Sequence, residues 1–116
     1  MVDNLIELLE TFNYPVFRQG SLAPEEAYPD TFFTFWNSDE SEHSAYDNDT
    51  ALVDWIFQVN VYSTDPDTAY NLLGEARTLL KSAGYTISDR GYDVQSDEIS
   101  HVGRGMLVMY LQSENL

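Results

Sequence analysis

The chain has 116 residues, no cysteine, 20 acidic against 5 basic residues, and a formal net charge of −15. Its length suits one domain with one core, and a hydrophobic share of 43% with 16 aromatics argues against disorder. The missing cysteines exclude disulfides, thiolate metal sites and cysteine catalysis, and the acidity opposes binding to a phosphate backbone or an anionic membrane.

The first predicted element is a helix over residues 2–12, where Val2, Leu5, Ile6, Leu9 and Phe12 recur with helical spacing. The start, MVDNLIELLE, lacks the basic opening of a secretory signal, which predicts cytoplasmic synthesis. Asn13 is the expected stop. Tyr14 to Arg18 reads as a short strand, and Pro15 suits a strand start or an edge because it cannot donate to a ladder. Gln19 to Asp30, with Gly20, Pro24 and Pro29, reads as a loop. TFFTFW at 31–36 is β-branched and aromatic and predicts a strand.

Residues 37–50, NSDESEHSAYDNDT, read as a polar, acidic hairpin loop. No Lys or Arg occurs between Arg18 and Arg77, an interval that holds twelve acids. DNDT at 47–50 is the strongest metal candidate, since Asp47 and Asp49 stand at alternate positions. An EF-hand loop starting there needs Gly and Glu where this chain has Leu52 and Gln58, so that motif fails and a solvated turn is the simpler reading. His43 and His101 sit among polar neighbours and read as exposed loop residues without a catalytic motif.

The segment from Leu52 to Tyr85 is the most legible. Val53, Trp55, Phe57, Val59 and Val61 alternate with Asp54, Gln58 and Asn60, which predicts a strand with one apolar and one largely wet face. Ile56 and Tyr62 interrupt the wet face, so part of it is expected to be covered. A helix follows directly: Asp65 as N-cap, Pro66 at the first position, Asp67 at the positive dipole end, then Ala69, Leu72, Leu73, Ala76, Leu79, Leu80 and Ala83 on one face. Lys81 falls in its last turn and Gly84 suits a left-handed C-terminal position.

Tyr85 to Val94 reads as a strand with Gly91 as a bulge, residues 95–101 as a turn, and Gly103 to Gln112 as a strand apolar on both faces and so interior to the sheet. GRG at 103–105 is too short, and placed before a strand rather than a helix, to cradle phosphate. Residues after Ser113 are expected to fray.

These elements predict an α+β fold: one domain over 1–116, order α-β-β-β-α-β-β, with a mostly antiparallel sheet of four to five strands and two helices packed on one face. Trp55 and Phe57 are assigned to the core. Trp36, bordering the acidic connection, is expected to be partly exposed and is a candidate interface anchor beside a plain packing role.

The segments YPVFRQGS, YPDTFFTFWN, YDND, VNVYSTDP and GYDVQSDEISHVGRGM, in this order, resemble small proteins from the head-to-tail joining region of long-tailed phages and prophages, a group similar to the tail-terminator and tail-completion proteins. The resemblance runs from about Tyr14 to Tyr110. It implies a non-enzymatic virion protein of the tail or neck, assembled in the host cytoplasm as a ring, typically a hexamer. Tail-tube and head-completion proteins are the implied partners. It implies no cofactor, no catalytic residue, no membrane and no sequence-specific nucleic-acid binding. Arg18, Asp47, Asp49 and Arg104 lie in the matching segments and, with Trp36, are the candidate interaction residues. An acidic DNA mimic or inhibitor that binds a basic partner is the alternative.

Overall fold

The structure is a computed structural model that describes residues 2–18, 29–43, 50–96 and 98–115. It contains α1 (Val2–Glu10), β1 (Val16–Arg18), β2 (Thr31–His43), β3 (Thr50–Ser63), α2 (Pro66–Ser82), β4 (Tyr92–Val94) and β5 (Val102–Asn115). The predicted order holds. The strands form one sheet in the order β1-β2-β3-β5-β4. All neighbours are antiparallel except β1 and β2, which run parallel. The fold class is α+β, as the sequence predicts.

Both helices lie on one face of this sheet. Leu5 and Leu9 of α1 and Leu72, Leu73, Ala76 and Leu80 of α2 share a core with Phe33, Phe35, Phe57, Val59, Val61, Met106 and Val108. The register explains this sorting. Phe33 lies across from Val61, Phe35 from Val59, and Val59 from Met106, so alternate positions on three strands point the same way. Trp55 stacks on Phe57 with centroids 6.0 Å apart, and its indole N–H donates to Gln112 Oε1 at 2.9 Å.

The ends of α2 follow its sequence closely. Asp65 Oδ1 accepts from the Asp67 N–H at 3.0 Å, and Thr68 Oγ1 donates to Asp65 Oδ2 at 3.1 Å. The Asp65 N–H donates to Ser63 Oγ, which lies 2.9 Å from Thr31 Oγ1, so the strand-to-helix corner is fastened to the start of β2. At the other end Gly84 has φ +102°, Gly84 N donates to the Lys81 carbonyl and Tyr85 N to the Leu80 carbonyl. That pair of bonds is the Schellman arrangement, and it satisfies carbonyls the helix leaves over. Asn13 takes φ +65° after α1, which ends two residues earlier than the spacing predicts.

Three elements differ from expectation. Residues 37–43, read as loop, continue β2, because pairing to β3 satisfies their backbone whatever the polarity of the side chains. One extra residue, Ser38, interrupts this pairing between Asn37 and Asp39. Strand β5 likewise runs on to Asn115, paired to β3 as far as Thr50, where fraying was expected. Tyr85 to Val94 is not one strand. Thr86 exchanges backbone bonds with Met109, and then the chain leaves the sheet. The Asp89 carboxylate accepts from the Gly91 N–H and, at 3.4 Å, from Leu107 N, while Arg77 Nε holds the Asp89 carbonyl. Gly91, at φ +105°, turns the chain back so that β4 pairs again at Tyr92.

Candidate interaction surfaces

The helix-free face carries Phe17, Phe32, Thr34, Trp36, Ile56, Gln58, Asn60 and Tyr62. Here the wet reading of the β3 polar residues fails. Gln58 is 8% and Asn60 1% exposed. The cause lies on β5. Gly103 and Gly105 fall on this face, opposite Tyr62 and Asn60, and leave room for neighbours to fold over the strand. A Cβ at Gly105 would overlap Asn60 Oδ1 and come within 2.7 Å of Gln58 Nε2; one at Gly103 would come within 2.7 Å of Tyr62 Cε1.

The space is filled by a row of hydrogen bonds. Tyr92 of β4 reaches over Gly105 and donates from its hydroxyl to Gln58 Oε1 at 2.6 Å. Gln58 Nε2 donates to Asn60 Oδ1 at 2.9 Å, and Asn60 Nδ2 donates to Thr34 Oγ1 at 3.4 Å. Buried polar atoms are costly unless paired, and this row pairs them. Phe32 and Tyr62 stack beside it at 5.4 Å, the covering that Tyr62 and Ile56 led us to expect.

His101 also departs from its sequence reading. It is buried rather than exposed, with its ring 5.9 Å from that of Phe32. Its Nε2 lies 2.8 Å from the Pro29 carbonyl, which can only accept, so Nε2 carries the proton. Nδ1 lies 2.9 Å from Ser100 Oγ. The histidine thus fastens the start of β5 to the segment leading into β2.

Further along the helix-free face the surface is apolar and open. Trp36 is 38% exposed, Leu107 39% and Leu111 56%, with Ile56 and Met109 half-buried between them. Trp36 lies across β3 from Leu107 through Gln58, and Ile56 lies across from Met109.

Arg104 occupies the other face, on β5. Its Nη1 donates to Asp93 Oδ1 at 3.1 Å, and its guanidinium carbon sits 5.2 Å from the centre of the Tyr70 ring on α2. Its Nε is buried with no hydrogen-bond partner among the described residues. It lines a cleft of about 680 Å³ with Asp67, Tyr70, Ser96, His101 and Gly103 at the N-terminal end of α2. With Asp93 and the Tyr70 ring both engaged, Arg104 ties β4 and α2 to β5.

Arg18 is exposed at the end of β1, across from Phe35, on the same face as Arg104. Two strands, β2 and β3, lie between theirs, a separation of about 14 Å at ordinary strand spacing. Trp36 is on the opposite face. The structure therefore does not bring Arg18, Trp36 and Arg104 together, and Asp47 and Asp49 lie outside the described residues. Among the described residues no group of three or more His, Asp or Glu is placed to hold a metal ion, and no helix is long and apolar enough to cross a membrane.

This fold resembles that of a virion protein. A chain in a structure described as the virion of a native gene transfer agent particle matches over 95% of this chain and 84% of that chain, with a TM-score of 0.54 and 13% identity. At that identity the likeness is one of fold. No family model and no curated protein matches the sequence. The glycines that shape the helix-free face went unread in the sequence. Their signal was present: two glycines two places apart on an interior strand must share one face.

Proposed function

We propose that this chain is a non-enzymatic structural protein of a phage-like virion, which completes or caps the tail and joins it to the head as a ring of six copies. The observation that carries this reading is the extent of the fold likeness. It spans nearly the whole of this chain and most of a chain from a gene transfer agent virion, not just a shared strand-helix unit. The ordered segments from YPVFRQGS to GYDVQSDEISHVGRGM support it independently. The protein's place is then the tail or neck of the particle, with assembly in the host cytoplasm, and its partners are further copies of itself, the tail-tube protein and a head-completion protein. Arg18, Trp36, Asp47, Asp49 and Arg104 are the residues proposed to meet neighbours. The role needs no cofactor, membrane or sequence-specific contact with DNA.

The charge shapes how such a ring assembles. Six copies at −15 each carry −90. Charges are screened over only about 8 Å at physiological salt and less effectively below it. The isolated protein is therefore monomeric at low ionic strength and enters the ring with its partners. Mass spectrometry of purified particles, with immunogold labelling, tests the placement: the chain is present and the label sits at the neck. Particles that lack it refute the virion reading. Sedimentation across a salt series tests the assembly, and a stable hexamer at low salt would refute that part alone.

A further inference from the structure

Strands β2, β3 and β5 are 13 or 14 residues long, whereas β1 and β4 are three each. The flanking strands pair only with Phe33–Phe35 and with Gly103–Gly105. Beyond those pairs and the Thr86–Met109 bridge, β2 and β5 form the rims of a three-stranded ribbon. Its helix-free face bears the exposed row of Trp36, Leu107 and Leu111, with Ile56 and Met109 between. An exposed tryptophan with a contiguous aliphatic row on a flat sheet is the composition of a binding surface.

Charge identifies the class of occupant. Residues 36–63, which make most of the ribbon, hold six Asp or Glu and no Lys or Arg; residues 107–116 hold one Glu and again no Lys or Arg. By register, Asp39 stands opposite Ile56, and Asp54 stands opposite Leu111, so acids border the apolar row on two strands. A second copy brings the same acids against these and is repelled, as is DNA. A chain that alternates basic and apolar side chains meets both features at once: its apolar side covers the row while its Lys or Arg side chains reach the acids. An extended segment also finds the unpaired rims of β2 and β5, where it can add as a strand.

We propose that the helix-free face of this ribbon, centred on Trp36, Leu107 and Leu111, is a docking surface for an extended segment of a basic partner protein, with alternating Lys or Arg and apolar residues. This inference stands on the ribbon alone. It is tested with purified protein and peptides, so its failure leaves the virion reading untouched, and the reverse also holds.

The test uses Trp55→Phe protein, in which Trp36 is the one tryptophan left, titrated with synthetic ten-residue peptides. An alternating Lys/Val peptide is expected to shift Trp36 emission to the blue, and an alternating Glu/Val peptide is not. Leu111→Ser, at an open position, should weaken the Lys/Val peptide by about tenfold, the effect of losing one buried leucine contact. Leu107→Ser is the second variant, and circular dichroism confirms that both fold. Oligolysine of the same charge should bind at least about tenfold more weakly than the Lys/Val peptide. Equal binding by oligolysine and Lys/Val, unaffected by either serine variant, would overturn the proposal in favour of bare charge attraction. Absence of any Lys/Val binding at low salt would overturn it outright. Concentration-dependent dimers that Leu111→Ser abolishes would also overturn it, by showing a second copy on the face.

Discussion

Replacing Gly105 by alanine adds one methyl group where the sheet has no room for it. The new Cβ would overlap Asn60 Oδ1 and lie 2.7 Å from Gln58 Nε2 and 2.9 Å from Val94 Cγ1. Two of these atoms belong to the Gln58–Asn60 hydrogen bond, and both side chains are buried. Overpacking of a filled site costs about 1–3 kcal/mol. Parting the two amides leaves buried polar groups unpaired, a further cost of about 1–3 kcal/mol. The sum centres on about 4 kcal/mol, out of a total stability of about 6–17 kcal/mol for a chain of this size. The assay is urea unfolding followed by tryptophan fluorescence, in which the midpoint falls and the slope is unchanged. The double variant Gly105→Ala with Asn60→Ala removes one of the atoms the methyl meets, so its loss should be smaller than the sum of the single losses by about 1 kcal/mol or more. A Gly105→Ala loss below about 1 kcal/mol, or strict additivity with Asn60→Ala, would refute the argument that this glycine makes room for the polar row.

Other substitutions probe different links. Gly74→Ala meets nothing within 4 Å on an exposed part of α2 and should raise stability by about 0.5–1 kcal/mol, read as a higher urea midpoint. Asp65→Ala removes the acceptor for Asp67 N–H and Thr68 Oγ1 and should cost about 1 kcal/mol, with Asp65→Asn recovering most of it. Tyr85 is buried in the core beside Tyr110, and burial first, then the neighbouring phenol, pushes its pKa up to about 12. Below pH 10 it is protonated in both folded and unfolded chains; between about pH 10 and 12 the unfolded chain ionises first. Stability due to this group is thus full below pH 10 and falls by about 2–3 kcal/mol as pH rises towards 12. Urea midpoints measured against pH should show that alkaline loss reduced in Tyr85→Phe; an unchanged alkaline profile would contradict the assignment.

Legibility in the sequence tracked how local the controlling physics was. Asp65, Pro66 and Gly84 act within one helical turn, and each does in the structure what its type and position predict. The alternation of Val53, Phe57, Val59 and Val61 likewise depends only on strand geometry. Residues 37–43 were misread because their order comes from β3, a partner they meet only across the hairpin. Tyr85 to Val94 has a strand's composition, yet Asp89 competes for a ladder N–H and opens it. His101, Gln58 and Asn60 carry the types of exposed residues and are buried for reasons far away in sequence: the Pro29 carbonyl for the first, the missing side chain at Gly105 for the others. Of the candidate interaction residues, the exposure of Trp36 was legible from its neighbours. The fastening of Arg104 by Asp93 and Tyr70 depends on β4 and α2 converging beside β5, and no spacing announces that.

The single unpaired residue at Ser38 has a consequence for length variation in this strand. Side chains alternate with a period of two, so one extra residue exchanges the two sides of everything that follows it before the hairpin. Deleting Ser38 would leave the backbone path of the ribbon nearly where it is. Yet it would move Asp39 to the side of the sheet now held by Glu40, and Glu40 to the side of Asp39. A one-codon deletion could thus rewrite which acids look out from each surface, while the core, closed off earlier along the strand at Phe33 and Phe35, would not register the change.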